Sequence, residues 1–417
     1  MCKEDADLKN EDLRFASRMA CVSGSAIREL LKLTAKPGMI SFAGGNPGSF
    51  ALPNDDIAEI AHDLLKREGK RLLQYGPTEG YQPLVETLVD YLKEEFSAEA
   101  GPEEILPITG SAQGIDLICK VYINPGDTVL VESPTFLGNI QCMRIFEANI
   151  VPVPMDENGI ILEELEMLIQ RHHPKMLYTI PTFQNPTGIT MSMERRKAIA
   201  ALASKYRMLV AEDEPYRSLR YSGTPLPSIK SFDEEGWVVL LGSFSKVIAP
   251  GLRVGFMAGN ASLIRKCTVC KQSSDVHTAT LNQAIVDEYM RRGLLKPHVQ
   301  EACRVYSLQM NAMLEKIDTI KEIVHHTVPK GGLFIFASIG EGLDVAPLFN
   351  LSVLRQVAFV PGEPFYPEGG HKNTLRLNFT NADVGTIHRG MSVLRSCFEE
   401  TCRKPIAQVN TQWDPKG

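Results

Sequence analysis

Two rhythms of apolar residues alternate along this chain. Short, nearly unbroken apolar runs recur at 104–109, 128–132, 150–154, 176–180, 208–211 and 237–241, and they predict strands buried on both faces. Between them lie longer amphipathic segments that predict helices over 115–122, 162–170 and 193–206, with a further helix opening at Ser133-Pro134-Thr135-Phe136. Strands and helices alternating at this spacing form crossover units, so the pattern predicts a mainly parallel sheet with helices on both faces. Two helices, over 55–70 and 84–96, precede it. After a further strand at 252–258 the pattern is helical from 261 to about 318, and a looser set of strands follows at 333–338, 357–360 and 374–379, closed by a helix over 384–402. The expected organisation is therefore a large α/β domain over 46–295 and a smaller α+β domain over 296–417. Segment 1–45 forms an arm that packs with the smaller one. Residues 1–12 and the last dozen are expected to be frayed.

The 417 residues are 44% apolar and 23% charged, an ordinary globular composition with ample length for a large core. A formal net charge of −6 argues against nucleic acid as a main partner. No apolar run has membrane-spanning length and the N-terminus is polar and acidic, so a cytoplasmic protein without a membrane anchor is expected. Nine cysteines at irregular spacing fit reduced thiols. Cys267-Thr268-Val269-Cys270 has no second ligand pair, and His172-His173 and His325-His326 read as solvated loop or helix-end residues, so no metal site is expected.

Chemistry concentrates at the carboxyl ends of the predicted strands, where open α/β sheets bind ligands. One stretch stands out: Gly242-Ser243-Phe244-Ser245-Lys246-Val247-Ile248-Ala249-Pro250-Gly251-Leu252-Arg253-Val254-Gly255. It places Lys246 on a tight loop between two core strands, where a desolvated amine beside a cation can act as a nucleophile toward a carbonyl. Ser243, Ser245 and Arg253 suit a phosphate dianion, while the bland alternative is a surface lysine among chance serines. Gly110-Ser111-Ala112-Gln113 opens a helix, either as an anion site or as a plain N-cap. Asp213 ends a strand as a partner for a protonated ring nitrogen or as a turn carboxylate. Tyr216 fits a phenolate-like oxygen or core packing, and Asn185 fits the same oxygen, a substrate carboxylate or plain turn chemistry. Phe136 covers a planar ring or fills core.

In order, Ser111-x-Gln113, Asn185-Pro186-x-Gly188, Asp213-x-x-Tyr216, Ser243-x-Ser245-Lys246, Arg253-x-Gly255 and Arg376 resemble the class I and II aminotransferases of the pyridoxal-phosphate fold-type I group. The resemblance covers about residues 18–400. Ile27-Arg28-Glu29-Leu30-Leu31-Lys32-Leu33-Thr34, Ser41-Phe42-Ala43-Gly44-Gly45, Pro77-Thr78-Glu79-Gly80-Tyr81 and Asn373-Thr374-Leu375-Arg376-Leu377 draw it toward the 2-aminoadipate and broad-specificity branch. It implies a mainly parallel, seven-stranded type of sheet with a smaller α+β domain, pyridoxal 5'-phosphate as cofactor, and a homodimer with shared sites. It also implies roles. Lys246 would carry the cofactor as a Schiff base and move the proton, Asp213 would keep the ring nitrogen protonated, and Tyr216 and Asn185 would bond the ring oxygen. Ser111, Ala112, Gln113, Ser243, Ser245 and Arg253 would bind phosphate, with Tyr75 reaching it from the other subunit. Phe136 would stack on the ring, Arg376 would clamp the α-carboxylate, and Arg28 and Gly45 would lie on the substrate side. The sequence departs from the common pattern at Ala112, at Phe136 in place of tyrosine, and at Asn46 in place of leucine, which bears on specificity.

The activity this implies is transamination between an L-amino acid (2-aminoadipate, leucine-like or aromatic) and a 2-oxo acid, with 2-oxoglutarate the expected acceptor, in two half-reactions. The alternatives are a lyase or decarboxylase on the same fold and a non-catalytic cofactor-binding regulator. His277 is expected to be structural.

Overall fold

The structure, a computed structural model, describes residues 15–21 and 38–401. Among the described residues, fourteen strands fall into three sheets. In chain order they are β1 (Ile40–Ser41), β2 (Ile105–Ile108), β3 (Thr128–Ser133), β4 (Asn149–Asp156), β5 (Gly159–Ile160), β6 (Met176–Thr179), β7 (Leu209–Asp213), β8 (Val238–Ser243), β9 (Gly255–Ala258), β10 (Val324–His326), β11 (Phe334–Ile339), β12 (Val357–Ala358), β13 (Val360–Pro361) and β14 (Thr374–Asn378). The large sheet has eight strands in the order β2-β9-β8-β7-β6-β3-β4-β5. Its centre is parallel, as β4, β3, β6, β7 and β8 all run one way, while β9 runs antiparallel between β8 and β2. The eighth strand, β5, is a two-residue turn-back onto the edge of β4. Of the parallel strands, β3, β6, β7 and β8 are buried almost throughout because helices cover both faces, which is why they read in sequence as nearly continuous apolar runs, whereas β4 toward the sheet edge is only partly buried.

The predicted strand at 252–258 begins only at Gly255. Pro250–Leu252 forms a tight turn and Arg253 takes a left-handed conformation with φ 53°, so the chain straightens late. Ser243 and Gly255 pair directly, which makes 244–254 a closed excursion from the end of β8 to the start of β9. A side chain at Gly255 would meet the Gly242 carbonyl at 2.7 Å and the Ser111 nitrogen at 3.2 Å. Only glycine lets the start of helix Ser111–Tyr122 pack onto the base of that excursion.

The smaller sheet, β10-β11-β14-β13, is antiparallel. His325 and His326, expected in a loop or helix end, lie instead on its edge strand β10, where His326 Nε2 sits 3.3 Å from Asp318. Arg376 lies on central strand β14, paired with Phe336 on one side and Val360 on the other. Strand β1 pairs in parallel with β12, tying the segment before Gly44 to the chain's last third. Helix Val345–Leu354 has no counterpart in the sequence-based expectation. Its apolar residues show no polar face, and its start is fixed by Asp344, whose carboxylate accepts from the Ala346 N–H at 2.7 Å.

Candidate active site

Lys246 lies three residues past the end of β8. Its amine donates to the Gly45 carbonyl at 2.9 Å, which joins the excursion after β8 to the glycine-rich segment after β1. Burial, then the positive charges of Arg376 and Arg253, push the amine down to about 8 from 10.5. A lysine so placed is neutral in a substantial minority of molecules near physiological pH, where an ordinary lysine is almost wholly protonated, and the neutral amine is the form required of a nucleophile.

Asp213 ends β7 and is buried. Oδ2 accepts from the Tyr178 hydroxyl at 2.9 Å and from Asn139 Nδ2 at 3.5 Å, and Asn139 also donates to the Tyr178 oxygen at 2.7 Å. Burial raises the carboxyl to about 7; Tyr178 lowers it, Glu214's charge raises it again, and Ser111 and Asn139 offset part. Oδ1 is buried with no hydrogen-bond partner. A buried carboxylate with one oxygen idle is expensive unless a cation or a donor completes it.

Arg376 makes the opposite wall. Nη1 donates to Asn185 Oδ1 at 2.9 Å and Nη2 to the Ala43 carbonyl at 2.9 Å, while Nε is buried without a partner. The guanidinium lies 4.1 Å from the centre of the Phe334 ring and 5.0 Å from that of Phe365, so its planar fork is held from several sides. Burial lowers it to about 10. Asn185 joins this wall to Tyr216, donating from Nδ2 to the phenol oxygen at 3.3 Å, and burial raises the Tyr216 hydroxyl well above its ordinary value. The Tyr216 ring stands edge-on to Phe334, 5.8 Å between centres.

The third part is a donor cradle. Helix Ser111–Tyr122 begins after Gly110, whose φ of 79° and close approach to Arg253 (2.5 Å from a built Cβ to Nη2) exclude a side chain. The N–H groups of Ser111 and Ala112 have no intrahelical acceptor and the helix dipole favours an anion there. Arg253 spans the cradle, with Nη1 3.5 Å from Ser245 Oγ and Nη2 donating to the Thr109 carbonyl at 3.0 Å. Ser243 Oγ accepts from the Ser245 N–H at 3.2 Å. Gln113 stands differently. Its Oε1 takes Lys271 Nζ at 2.8 Å and the Thr109 N–H at 2.8 Å, its Nε2 donates to Asp275 at 2.7 Å, and its own N–H goes to the Gly110 carbonyl. It braces the cradle from behind. Phe136 precedes helix Leu137–Ile145, its ring packed where a Cβ on Gly138 would sit 2.7 Å away.

Tyr75 is 81% exposed in the single chain, apart from the cradle. Its loop is held by His277, whose Nε2 accepts from the Gly76 N–H at 3.2 Å while Nδ1 lies 2.9 Å from the Thr278 carbonyl. Arg28 lies outside the described residues.

Sequence reasoning missed Tyr178 and Asn139, which orient Asp213. It also missed Glu132, which accepts from Thr179 Oγ1, the Ile180 N–H and Gln184 Nε2 and is raised by burial to about 7. The available signal was polar residues at the ends of runs buried on both faces, as in Val131-Glu132 and Tyr178-Thr179.

Residues 38–394 match the family model described as Aminotransferase class I and II. The chain is 38% identical to Aromatic-amino-acid aminotransferase 1 of Thermococcus litoralis, over 96% of this chain and 98% of that protein. It is 39% identical to 2-aminoadipate transaminase of Thermus thermophilus, over 90% and 94% respectively. Among solved structures it is similar to LysN, an α-aminoadipate aminotransferase from Thermus thermophilus complexed with N-(5'-phosphopyridoxyl)-L-leucine. There the TM-score is 0.87 at 37% identity, over 93% of this chain and 98% of that one.

Proposed function

Because the chain belongs to the class I and II aminotransferases, enzymes dependent on pyridoxal 5'-phosphate, we propose that Lys246, Asp213, Arg376 and the cradle around Ser111 form its catalytic site. The observation that carries this assignment is the pair of idle buried atoms, Asp213 Oδ1 and Arg376 Nε, together with a depressed amine that feels the charge of Arg376. A cofactor with a protonated ring nitrogen, an aldehyde and a phosphate fits that donor set. Asp213 would hold the ring nitrogen, Tyr216 and Asn185 the ring oxygen, and Phe136 a ring face. Ser111, Ala112, Ser243, Ser245 and Arg253 would hold the phosphate, with Gln113 as their brace. Bound there, the cofactor supplies a positively charged ring that withdraws electrons from the substrate's Cα.

The chain's own residues do the rest. Arg376 fixes the α-carboxylate with a fork already oriented by Asn185 and Ala43, which favours breaking the Cα–H bond over losing the carboxylate. Lys246 Nζ, neutral above its lowered pKa, removes the Cα proton and returns it one position away. Gly45, whose carbonyl holds that amine, would border the substrate.

The substrates follow from relatives that act on aminoadipate and aromatic amino acids: a 2-aminoadipate, leucine-like or aromatic donor, with 2-oxoglutarate as acceptor, in two successive half-reactions. The working unit would be a homodimer in which Tyr75 completes the partner's cradle, consistent with its exposure in one chain. We divide the chain into a cofactor-binding part, 46–295, and a smaller part, 296–417, joined by segment 1–45. Borohydride reduction of the loaded protein followed by peptide mapping tests the assignment. The adduct should sit on Lys246, and each productive donor should give at most one equivalent of its oxo acid per chain by itself and continuous turnover only when a 2-oxo acid is supplied for the second half. An adduct on another lysine would refute the site.

A further inference from the structure

Apart from this site, a cleft of about 490 Å³ opens between helix Gln82–Tyr91, the segment after Tyr216 and the start of helix Leu295–Asp318. That volume is in the range of small-molecule sites. We propose that the cleft is a second, non-catalytic binding site for a free α-amino acid with an apolar side chain.

The argument starts from charge. Arg220 lines the cleft and makes no hydrogen bond or ion pair among the described residues; its Nε is buried without a partner, and its guanidinium lies 4.7 Å over the Phe183 ring. Beside it, nearly buried Arg217 donates from Nε to the Glu95 carbonyl at 2.6 Å and from Nη2 to the Leu226 carbonyl. Its Nη1 has only Glu214 Oε1, 3.5 Å away, and that same oxygen already takes Arg196 at 3.3 Å. Two guanidinium groups therefore share one carboxylate oxygen, and Arg220 lies near enough to feel the charges of all three groups. Burial and the charges of Arg217 and Arg196 hold Arg220 below its ordinary value. An incoming carboxylate would meet an unpaired, partly desolvated fork, the setting in which guanidinium–carboxylate bonds are strongest.

A simple anion does not fit the rest of the cleft. Asp90 and Glu95 also line it and form no ion pair among the described residues, whereas Glu94 is tied to Lys296 at 2.9 Å. Those free carboxylates repel an anion and attract an ammonium group. Tyr91, Met290 and Val299 supply apolar wall between the charges. A ligand with a carboxylate, an ammonium and an apolar body satisfies all three features, which together define an amino acid such as leucine. The placement matters because Arg217 follows Tyr216 directly, and Phe183, beneath Arg220, stands two residues before Asn185.

The test is calorimetric titration of L-leucine into protein whose catalytic site is already filled with N-(5'-phosphopyridoxyl)-L-leucine. Saturable binding of one leucine per chain is expected. Arg220→Gln and Glu95→Gln should each weaken it about tenfold, the scale of one charge-assisted contact, and so should replacing leucine by 4-methylpentanoate, which lacks the ammonium. Val299→Trp, which fills the cleft, should abolish it. Absence of saturable binding, or binding unchanged in Arg220→Gln and Val299→Trp, overturns the proposal. If the adduct itself fails to bind, the catalytic assignment falls instead. The same leucine titration then decides the cleft on the unloaded chain, with Val299→Trp still required to abolish it.

Discussion

Arg376 and Lys246 are linked by charge, and that link gives a measurable pH profile. Burial and two nearby cations bring the Lys246 amine from 10.5 to about 8. The displacement is on the order of 3 kcal/mol in favour of the neutral amine. At pH 8 about half of the Lys246 side chains are then neutral, against well under one in a hundred for a lysine at its ordinary value. Only the neutral amine adds to an aldehyde, so capture of pyridoxal phosphate by the unloaded protein should accelerate with rising pH and level off just above 8. Replacing Arg376 by glutamine removes one of the two cations, so protonation of Lys246 becomes cheaper and the midpoint should move upward. It should stop short of 10.5, because burial, the largest cause, remains. Arg376→Lys keeps a charge and should hold the midpoint near that of the wild type. Stopped-flow absorbance across the pH range, compared among the three proteins so that the cofactor's own ionisations cancel, measures this. A wild-type rate still rising in proportion to hydroxide through about pH 9.5 would mean an ordinary lysine. A midpoint unmoved in Arg376→Gln would remove Arg376 from the account.

Asp213→Asn should leave cofactor capture largely intact but slow single-turnover proton transfer by on the order of 3 kcal/mol, since an amide cannot support a positive ring; near-normal rates would refute its role. Glu214→Gln leaves Arg196 and Arg217 without their shared, fully buried carboxylate, and should cost about 3–5 kcal/mol in urea denaturation; a loss below about 1 kcal/mol would show that the backbone carbonyls around Arg196 suffice. Mixing Tyr75→Phe chains with Lys246→Ala chains should restore activity through hybrids that hold one intact site; no gain despite proven subunit exchange would count against sharing. Arg28→Ala should lower kcat/KM for 2-aminoadipate and glutamate by about 2–5 kcal/mol and leave leucine and phenylalanine nearly unchanged; equal losses on all four donors would make Arg28 structural.

What was legible in the sequence followed from local physics. Strands β3, β6, β7 and β8 announced themselves because both faces are covered, and no polar residue interrupts Val238-Val239-Leu240-Leu241. Lys246, Asp213 and the helix start at Ser111 were legible because their residue types sit where strands end. The antiparallel course of β9 was not, because direction depends on the left-handed turn at Arg253, where nothing in the sequence demands a positive φ. Nor was the Tyr178–Asn139–Asp213 cluster, whose members lie 35 and 74 residues from Asp213 and meet only when β6, β7 and helix Leu137–Ile145 are packed. Gln113 shows the limit most plainly. Its spacing from Ser111 suited the cradle, yet its amide is taken by Lys271, Thr109 and Asp275, groups that tertiary packing brings from 4 to 162 residues away.

The same geometry bears on why the site's own charges are tolerable. Lys246, Arg376 and Arg253 place positive charge around one space, and each of the first two is displaced from its ordinary value by burial. Asp213 places a carboxyl raised to about 7 nearby, with one oxygen idle. Alone, these groups burden the fold, because buried charges and unpaired polar atoms cost several kcal/mol. One ligand with a phosphate dianion at one end and a protonated ring nitrogen at the other relieves both kinds of strain at once, and a substrate carboxylate on Arg376 relieves the last. The groups assigned to the proposed site are thus among those that the unloaded chain leaves least satisfied. Cofactor binding should therefore raise thermal stability as cofactor concentration rises. Asp213→Asn, which removes a buried charge, should narrow the gap between the unloaded and loaded melting points rather than lower both equally.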